Sequence, residues 1–161
     1  MPLADLDADA LRLGRFRRHR SGTWSARFVL EPGPDGEAAL DHVEDLAVRL
    51  GRAGGLDTEQ AFFVGVALRE AVVNAFRHGR SPDGAPTRLS LHLTPDRLVI
   101  TVRDRGPGFD PERVPDPCRE ANLTRGSGRG IFYMRCFTDR VSFVFPRQGG
   151  SVVRLAKRTR P

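Results

Sequence analysis

The sequence has few cysteines and no long apolar run, and both absences narrow the class of protein. Its two cysteines, Cys118 and Cys136, stand far apart, without a C-x-x-C pair or a histidine cluster nearby. This spacing indicates neither a zinc site nor a disulfide framework. No apolar run approaches the length of a membrane span, and residues 1–20 lack the apolar core of a signal peptide. We therefore expect a cytoplasmic protein.

Several catalytic motifs and nearly all lysines are missing as well. The sequence contains no G-x-x-x-x-G-K-[ST] loop, no H-E-x-x-H and no G-x-S-x-G, which excludes P-loop, zincin and serine-hydrolase interpretations. Lys157 is the single lysine among 26 basic residues. Such a bias is typical of the codon usage of a GC-rich genome, so the arginine excess alone is not a functional signal.

The formal charge of +6 is concentrated near the two ends of the chain. We interpret residues 1–22 as a basic N-terminal extension and residues 23–161 as a single domain, the number that 161 residues allow. A basic end leaves nucleic-acid binding open as an alternative, but a solvated tail is favoured and direct nucleic-acid binding is not expected.

Periodicity and turn residues predict an α+β fold. Strands are expected over 23–30, 88–93, 97–104, 139–145 and 151–156, and helices from 37 to about 51–55, over 57–79 and over 127–136. Short connections such as the hairpin turn at 94–96 favour antiparallel pairing. The expected architecture is a two-layer α/β sandwich with a mostly antiparallel mixed sheet and helices on one face.

The helix over 57–79 has clear end signals and a polar face. Asp57 and Gln60 form a capping pair, and Gly79 stands where a glycine stop is expected. Glu70 and Asn74 are spaced i and i+4, so they share one face of the helix. Because a carboxylate is costly to bury without a partner, this face should line a cleft or hold a polar ligand.

Two glycine-rich stretches follow this helix, at 104–109 and 126–130. Glycines allow close backbone approach, and a helix N-terminus can receive phosphate oxygens, so these stretches favour a phosphate-bearing ligand. The irregular, proline-rich residues 106–125 between them are typical of a functional lid.

Three motifs then carry a family resemblance. Residues 70–79 match E-x-x-x-N-A-x-x-H-G, residues 104–109 match D-x-G-x-G-F, and residues 126–131 match a last glycine box, all in the order of the GHKL ATPases. The small size and the residues after the last box resemble the bacterial anti-sigma factor serine-protein kinases. The resemblance covers about residues 23–157 and implies a Bergerat-type ATP-binding fold.

The resemblance also implies roles for individual residues. Glu70 matches the family's general base, Asn74 its Mg²⁺ ligand, and Asp104 the acceptor for the adenine amino group. ATP or ADP would be bound with Mg²⁺. The implied nucleotide-binding residues are Asn74, Arg77, His78, Gly79, Asp104, Gly106, Gly108, Phe109, Gly126, Ser127, Gly128, Arg129, Gly130, Ile131 and Ser151.

The same resemblance implies partners and leaves one alternative open. The implied partners are a sigma factor and an anti-anti-sigma antagonist with a phosphorylatable serine, and the implied assembly is a homodimer. Relatives often place an arginine directly before the S-G pair, where this chain has Gly126. The alternative is therefore a non-catalytic nucleotide-binding module that only switches partners.

Overall fold

The computed structural model describes residues 14–19, 21–81, 83–108 and 129–159. Along the chain the elements are β1 Gly14–Arg18, β2 Trp24–Leu30, α1 Pro34–Gly54, α2 Thr58–His78, β3 Thr87–Leu93, β4 Arg97–Arg103, α3 Arg129–Phe137, β5 Arg140–Val144 and β6 Val152–Arg158. The strands form one sheet in the order β1-β2-β3-β4-β6-β5. All pairings between these strands are antiparallel, so the described sheet lacks the parallel pair that a mixed sheet would contain.

The predicted two-layer α+β architecture is confirmed. Alternate side chains of the central strands, such as Phe28, Leu91, Ile100 and Leu155, are buried on one face of the sheet, and the helices cover that face. This alternation follows from the period of two in a strand, which sends successive side chains to opposite faces. The other face of the sheet carries no helix among the described elements.

The sheet begins earlier than the sequence predicted. Residues 14–18 were expected to belong to a loosely held extension, but they form β1, an edge strand with Gly14 opposite Phe28. Phe16 is the single large apolar side chain of β1, and its ring meets that of Phe28 edge to face at 5.5 Å. One half-buried apolar residue among three arginines gave too weak a pattern for a strand to be predicted. Residues 1–13 lie outside the described part of the chain.

Of the two long helices, α2 starts where its capping pair predicts and α1 starts three residues earlier than predicted. In α2, the Gln60 backbone N–H donates to Asp57 Oδ1 at 2.7 Å and the Asp57 N–H donates to Gln60 Oε1 at 3.3 Å, which confirms the capping pair. Helix α1 begins at Pro34 rather than at residue 37. Proline is well suited to the first helical position, because it lacks an N–H and the N–H at that position has no partner within the helix.

Arg69 links the two long helices. Its guanidinium donates to the carboxylates of Asp41 and Glu44 on α1. The pKa of Arg69 is raised above its ordinary value, chiefly by the hydrogen bond to Asp41. This cross-link fixes the rotation of α2 one residue before Glu70. No helix among the described residues is both long and apolar enough to cross a membrane.

Candidate functional site

Asp104 is a buried carboxylate held by three hydrogen bonds. It follows the last residue of β4, and only 6% of its surface is exposed. Its Oδ1 accepts from the Gly106 N–H at 2.9 Å and from the Ser151 N–H at 3.1 Å, and its Oδ2 accepts from the Ser151 hydroxyl. Hydrogen bonds to the ionised form lower the cost of burying a charge. The carboxylate is therefore fixed in orientation.

Glycines pack closely around Asp104, where a side chain would collide with Asp104 or with the neighbouring glycine. A Cβ atom on Gly79 would lie 2.5 Å from both Cβ and Cγ of Asp104, and a Cβ on Gly106 would lie 2.5 Å from Gly79 Cα. The sequence placed Gly79 correctly at the end of α2, but its φ is −93°, so the helix does not end in a left-handed residue. Contact with Asp104, rather than a positive φ, requires the glycine here.

Gly150 was not among the predicted site residues. Its φ is +90°, and a Cβ there would lie 2.2 Å from the Asp104 carbonyl oxygen. Its N–H donates to the Gly106 carbonyl at 2.9 Å, which ties the turn before β6 to the first glycine stretch. The pair of glycines at 149–150, directly before Ser151, was the available signal.

A cavity of about 230 Å³ opens beside Asp104. Its polar wall contains Asp104 and Ser151 at one side and Asn74 and His78 at another. The remaining lining residues are mostly small or apolar: Ala71, Ala75, Gly79, Gly108, Gly130, Ile131 and Val153. Ala71, Ala75 and Val153 were not among the predicted site residues. An apolar slot with a fixed acceptor at its wall is suited to a flat, partly polar ring.

The polar face of α2 meets the first turn of α3. A Cβ on Gly130 would lie 2.7 Å from Glu70 Oε2 and 3.0 Å from Asn74 Nδ2, so both side chains point at the same glycine. Glu70 and Asn74 are half-buried, and neither hydrogen-bonds to another residue in the described part of the chain. The predicted shared face is therefore present, with its polar groups available to a ligand.

The start of α3 adds backbone donors to this region. The first turn of any helix has N–H groups without partners inside the helix, and the helix dipole makes that end attractive to anions. Arg129 opens α3 and is exposed, while Ile131 is 7% exposed and lines the cavity. No group of three or more His, Cys, Asp or Glu side chains that could hold a metal ion occurs among the described residues.

The remaining predicted residues fall into three groups: at the cavity, away from it, and outside the described part of the chain. Arg77 is exposed and lines a groove with Arg69 and Arg80 rather than the cavity. Gly108, with φ +77°, lies beside Phe145 at the cavity. Outside the described part of the chain are Phe109, Gly126, Ser127, Gly128 and the proposed lid residues after Gly108.

Comparisons with known proteins agree with this geometry. Residues 34–157 match the model of the histidine kinase-like ATPase domain. The chain is 35% identical over 96 residues to an anti-sigma F factor from Heyndrickxia coagulans, which covers 56% of this chain and 64% of that protein. It is also 35% identical over 104 residues to the signal transduction histidine-protein kinase AfsQ2 of Streptomyces coelicolor. That match covers 60% of this chain and 18% of the kinase.

The chain thus spans less than two thirds of the length of either relative. The family match, however, covers most of the described helices and strands, from the start of α1 to the last strand, and includes the residues around the cavity. The protein belongs to the histidine kinase-like ATPase domain family.

Proposed function

We propose that the cavity binds the adenine ring of ATP or ADP and that the start of α3 binds the phosphates. The exocyclic amino group of adenine donates hydrogen bonds, and the fixed Asp104 carboxylate is an acceptor at the wall of an apolar slot. Gly130, in the first turn of α3, lies against the other polar group of the site, formed by Glu70 and Asn74, and first-turn amides can receive phosphate oxygens.

The residues present fit a magnesium ion held jointly with the nucleotide. Mg²⁺ takes oxygen ligands and keeps several waters, so one protein ligand plus phosphate oxygens is enough. The Asn74 side chain is available for this, and no multi-carboxylate cluster in the described chain competes for the ion. When bound, Mg²⁺ would neutralise charge on the phosphates.

Glu70 is the residue we propose as general base. One helical turn before Asn74, it would accept the proton from the hydroxyl of an incoming serine. The serine oxygen then bonds to the γ-phosphorus, the bond to the β–γ bridging oxygen breaks, and ADP leaves with that electron pair. Such transfer depends mostly on positioning and charge stabilisation. The observation that carries this proposal is the pairing of Glu70 and Asn74 at Gly130.

The proposed biological role is that of an anti-sigma regulatory factor with serine-protein kinase activity. It rests on the similarity to the anti-sigma F factor and on the retained Glu70. The partners would be a sigma factor and an antagonist protein whose serine is phosphorylated. A homodimer, which the resemblance implies, and a cytoplasmic location, which the sequence composition favours, stay predictions.

The experiment is transfer from γ-labelled ATP to a purified antagonist that binds this chain, with sigma-factor binding followed in parallel. The proposed function predicts that the antagonist becomes labelled. It also predicts that the antagonist, once phosphorylated, dissociates from the chain. Nucleotide binding without transfer to a verified partner would instead support the non-catalytic partner-switch module.

A further inference from the structure

The uncovered face of the sheet carries arginines and no carboxylate. None of the six strands contains an Asp or a Glu. The acidic residues of the described elements lie instead on the helices, with Asp41 and Glu44 of α1 as examples. The sequence alone discounted both the arginine excess and direct nucleic-acid binding, but codon usage cannot explain why the strands carry arginines without any compensating carboxylate.

Two pairs of arginines stand directly opposite each other on neighbouring strands. Arg15 on β1 is the register partner of Arg27 on β2, and Arg88 on β3 is the register partner of Arg103 on β4. All four side chains are exposed. Like charges directly opposite each other destabilise a sheet, so these pairs require an explanation other than folding.

A third opposed pair provides an internal comparison. Arg97 on β4 is the register partner of Arg158 on β6. Asp96 accepts from Arg97, and Asp139 lies within ion-pair distance of Arg158, so this pair is compensated locally. The first two pairs have no carboxylate partner among the described residues. The chain therefore neutralises one opposed arginine pair and leaves two free.

The two free pairs border one open groove. It has a volume of about 680 Å³ and is lined by Arg15, Arg27, Arg88 and Arg103 together with Ser90 and Thr101. Ser90 and Thr101 are themselves register partners, and their hydroxyls can donate to anions. Arg154 lies opposite Thr101 on β6 and continues the basic surface. Five adjacent strands at a spacing of about 4.8 Å spread these charges over roughly 19 Å.

We propose that this arginine face, defined by Arg15, Arg27, Arg88, Arg103 and Arg154, binds the phosphate backbone of duplex nucleic acid without sequence preference. A width of roughly 19 Å suits a continuous polyanion such as a duplex better than the few carboxylates of one acidic segment. Protein interfaces are enriched in aromatic residues at their centre, and single-strand sites stack bases on aromatic rings. The groove has neither feature, since its one ring, Phe28, belongs to the buried core.

The test measures binding of the full chain to a fluorescent duplex of about 20 base pairs and arbitrary sequence, at about 50 to 200 mM salt. The test variant carries Arg27→Gln and Arg103→Gln, which removes one charge from each free pair. The matched control carries Arg97→Gln and Arg158→Gln, which removes the same charge from the compensated pair on the same sheet. Thermal unfolding of both variants checks the fold, and the test variant is expected to be at least as stable as wild type because repulsion is relieved.

We expect wild type to bind in the micromolar range at low salt, with affinity that falls steeply as salt rises. The test variant should show a slope of log affinity against log salt that is shallower by about 2, while the control changes by less than about 1. Absence of duplex binding at about 50 mM salt, or equal losses in both variants, would overturn the proposal. Binding to poly-glutamate without binding to the duplex would also overturn it and would identify an acidic protein as the ligand.

Discussion

The Ser151 hydroxyl donates a hydrogen bond to Asp104 Oδ2, although the two residues are 47 positions apart. Their backbones are linked as well, since the Asp104 N–H donates to the Ser151 carbonyl at 3.0 Å. Strands β4 and β6 are neighbours in the sheet, so this contact sits where the sheet meets the cavity. The orientation of the proposed adenine acceptor thus depends on a residue from the last strand.

Removal of that hydroxyl should weaken both the fold and nucleotide binding. Ser151→Ala leaves a buried carboxylate oxygen without a donor, and a hydrogen bond to a charged group is worth about 1.5–3 kcal/mol. We expect a loss of unfolding free energy in that range, measured with denaturant, and ATP affinity reduced by about tenfold. Ser151→Thr keeps the hydroxyl and is the matched control. If alanine and threonine variants bound ATP equally, the hydroxyl would have no role in the site.

Alanine substitutions at Gly79 and at Gly130 should have different effects on stability, because the two glycines contact different parts of the site. Gly79→Ala forces a Cβ against Asp104 and against the Ala75 carbonyl oxygen at 2.6 Å, neither of which can move easily. Overpacking of this kind costs about 1–3 kcal/mol, and ATP affinity should fall with stability. Gly130→Ala meets only the ends of the Glu70 and Asn74 side chains, which can rotate away.

Gly130→Ala should therefore leave the unfolding free energy nearly unchanged while it lowers phosphate transfer. Denaturant unfolding and the labelled-ATP assay, run on both variants, check the difference. Equal stability losses for the two variants would contradict the described contacts of Gly79 and Gly130.

Asn74 should carry the metal-dependent part of nucleotide binding. Asn74→Ala removes the proposed oxygen ligand, so added Mg²⁺ should no longer strengthen ATP binding, whereas binding without metal should change little. Calorimetric titrations with ATP, with and without Mg²⁺, measure both quantities. Gln60→Ala, at the far end of the same helix, is the control and should keep the metal effect. A full metal effect in Asn74→Ala would assign the ion to other ligands.

The sequence predicted much of this fold because its local signals agree with the tertiary structure. The capping box of Asp57 and Gln60 and the spacing of Glu70 and Asn74 are local features, and both are present as expected. The edge strand β1 was missed because its stability depends on pairing with β2 and on the contact of Phe16 with Phe28.

The parts of the site that depend on long-range contacts could not be predicted. Nothing near Gly79 in the sequence indicates that Asp104 will pack against its Cα, and Gly150 reads as an ordinary turn glycine. The opposition of Arg15 to Arg27 depends on strand register, which is set by the buried face and not by the arginines. Predictions therefore succeeded for single elements and for the two-layer architecture, and they missed individual contacts between elements, such as those of Gly79 and Gly150 with Asp104.

Glu70→Gln should distinguish a kinase from a binding module. The substitution keeps size and polarity but removes basicity, so ATP affinity should stay close to wild type. Serine phosphorylation of the antagonist should fall by about two to four orders of magnitude, the usual contribution of a general base. The assay compares initial transfer rates from γ-labelled ATP, with affinity measured by calorimetry. Glu59→Gln, exposed in the first turn of α2, is the matched control. Unchanged transfer in Glu70→Gln would remove this residue from the mechanism.

The most direct test of the proposed adenine site is calorimetric titration of ATP into wild type and into Asp104→Asn. The substitution keeps the size of the side chain but replaces an acceptor oxygen by a donor, so it removes the partner proposed for the adenine amino group. We expect one nucleotide bound per wild-type chain and binding about 10- to 100-fold weaker in Asp104→Asn, the range that follows from the loss of a charged hydrogen bond. No binding by the folded wild type, or equal affinity in both proteins, would contradict the assignment of the cavity to adenine.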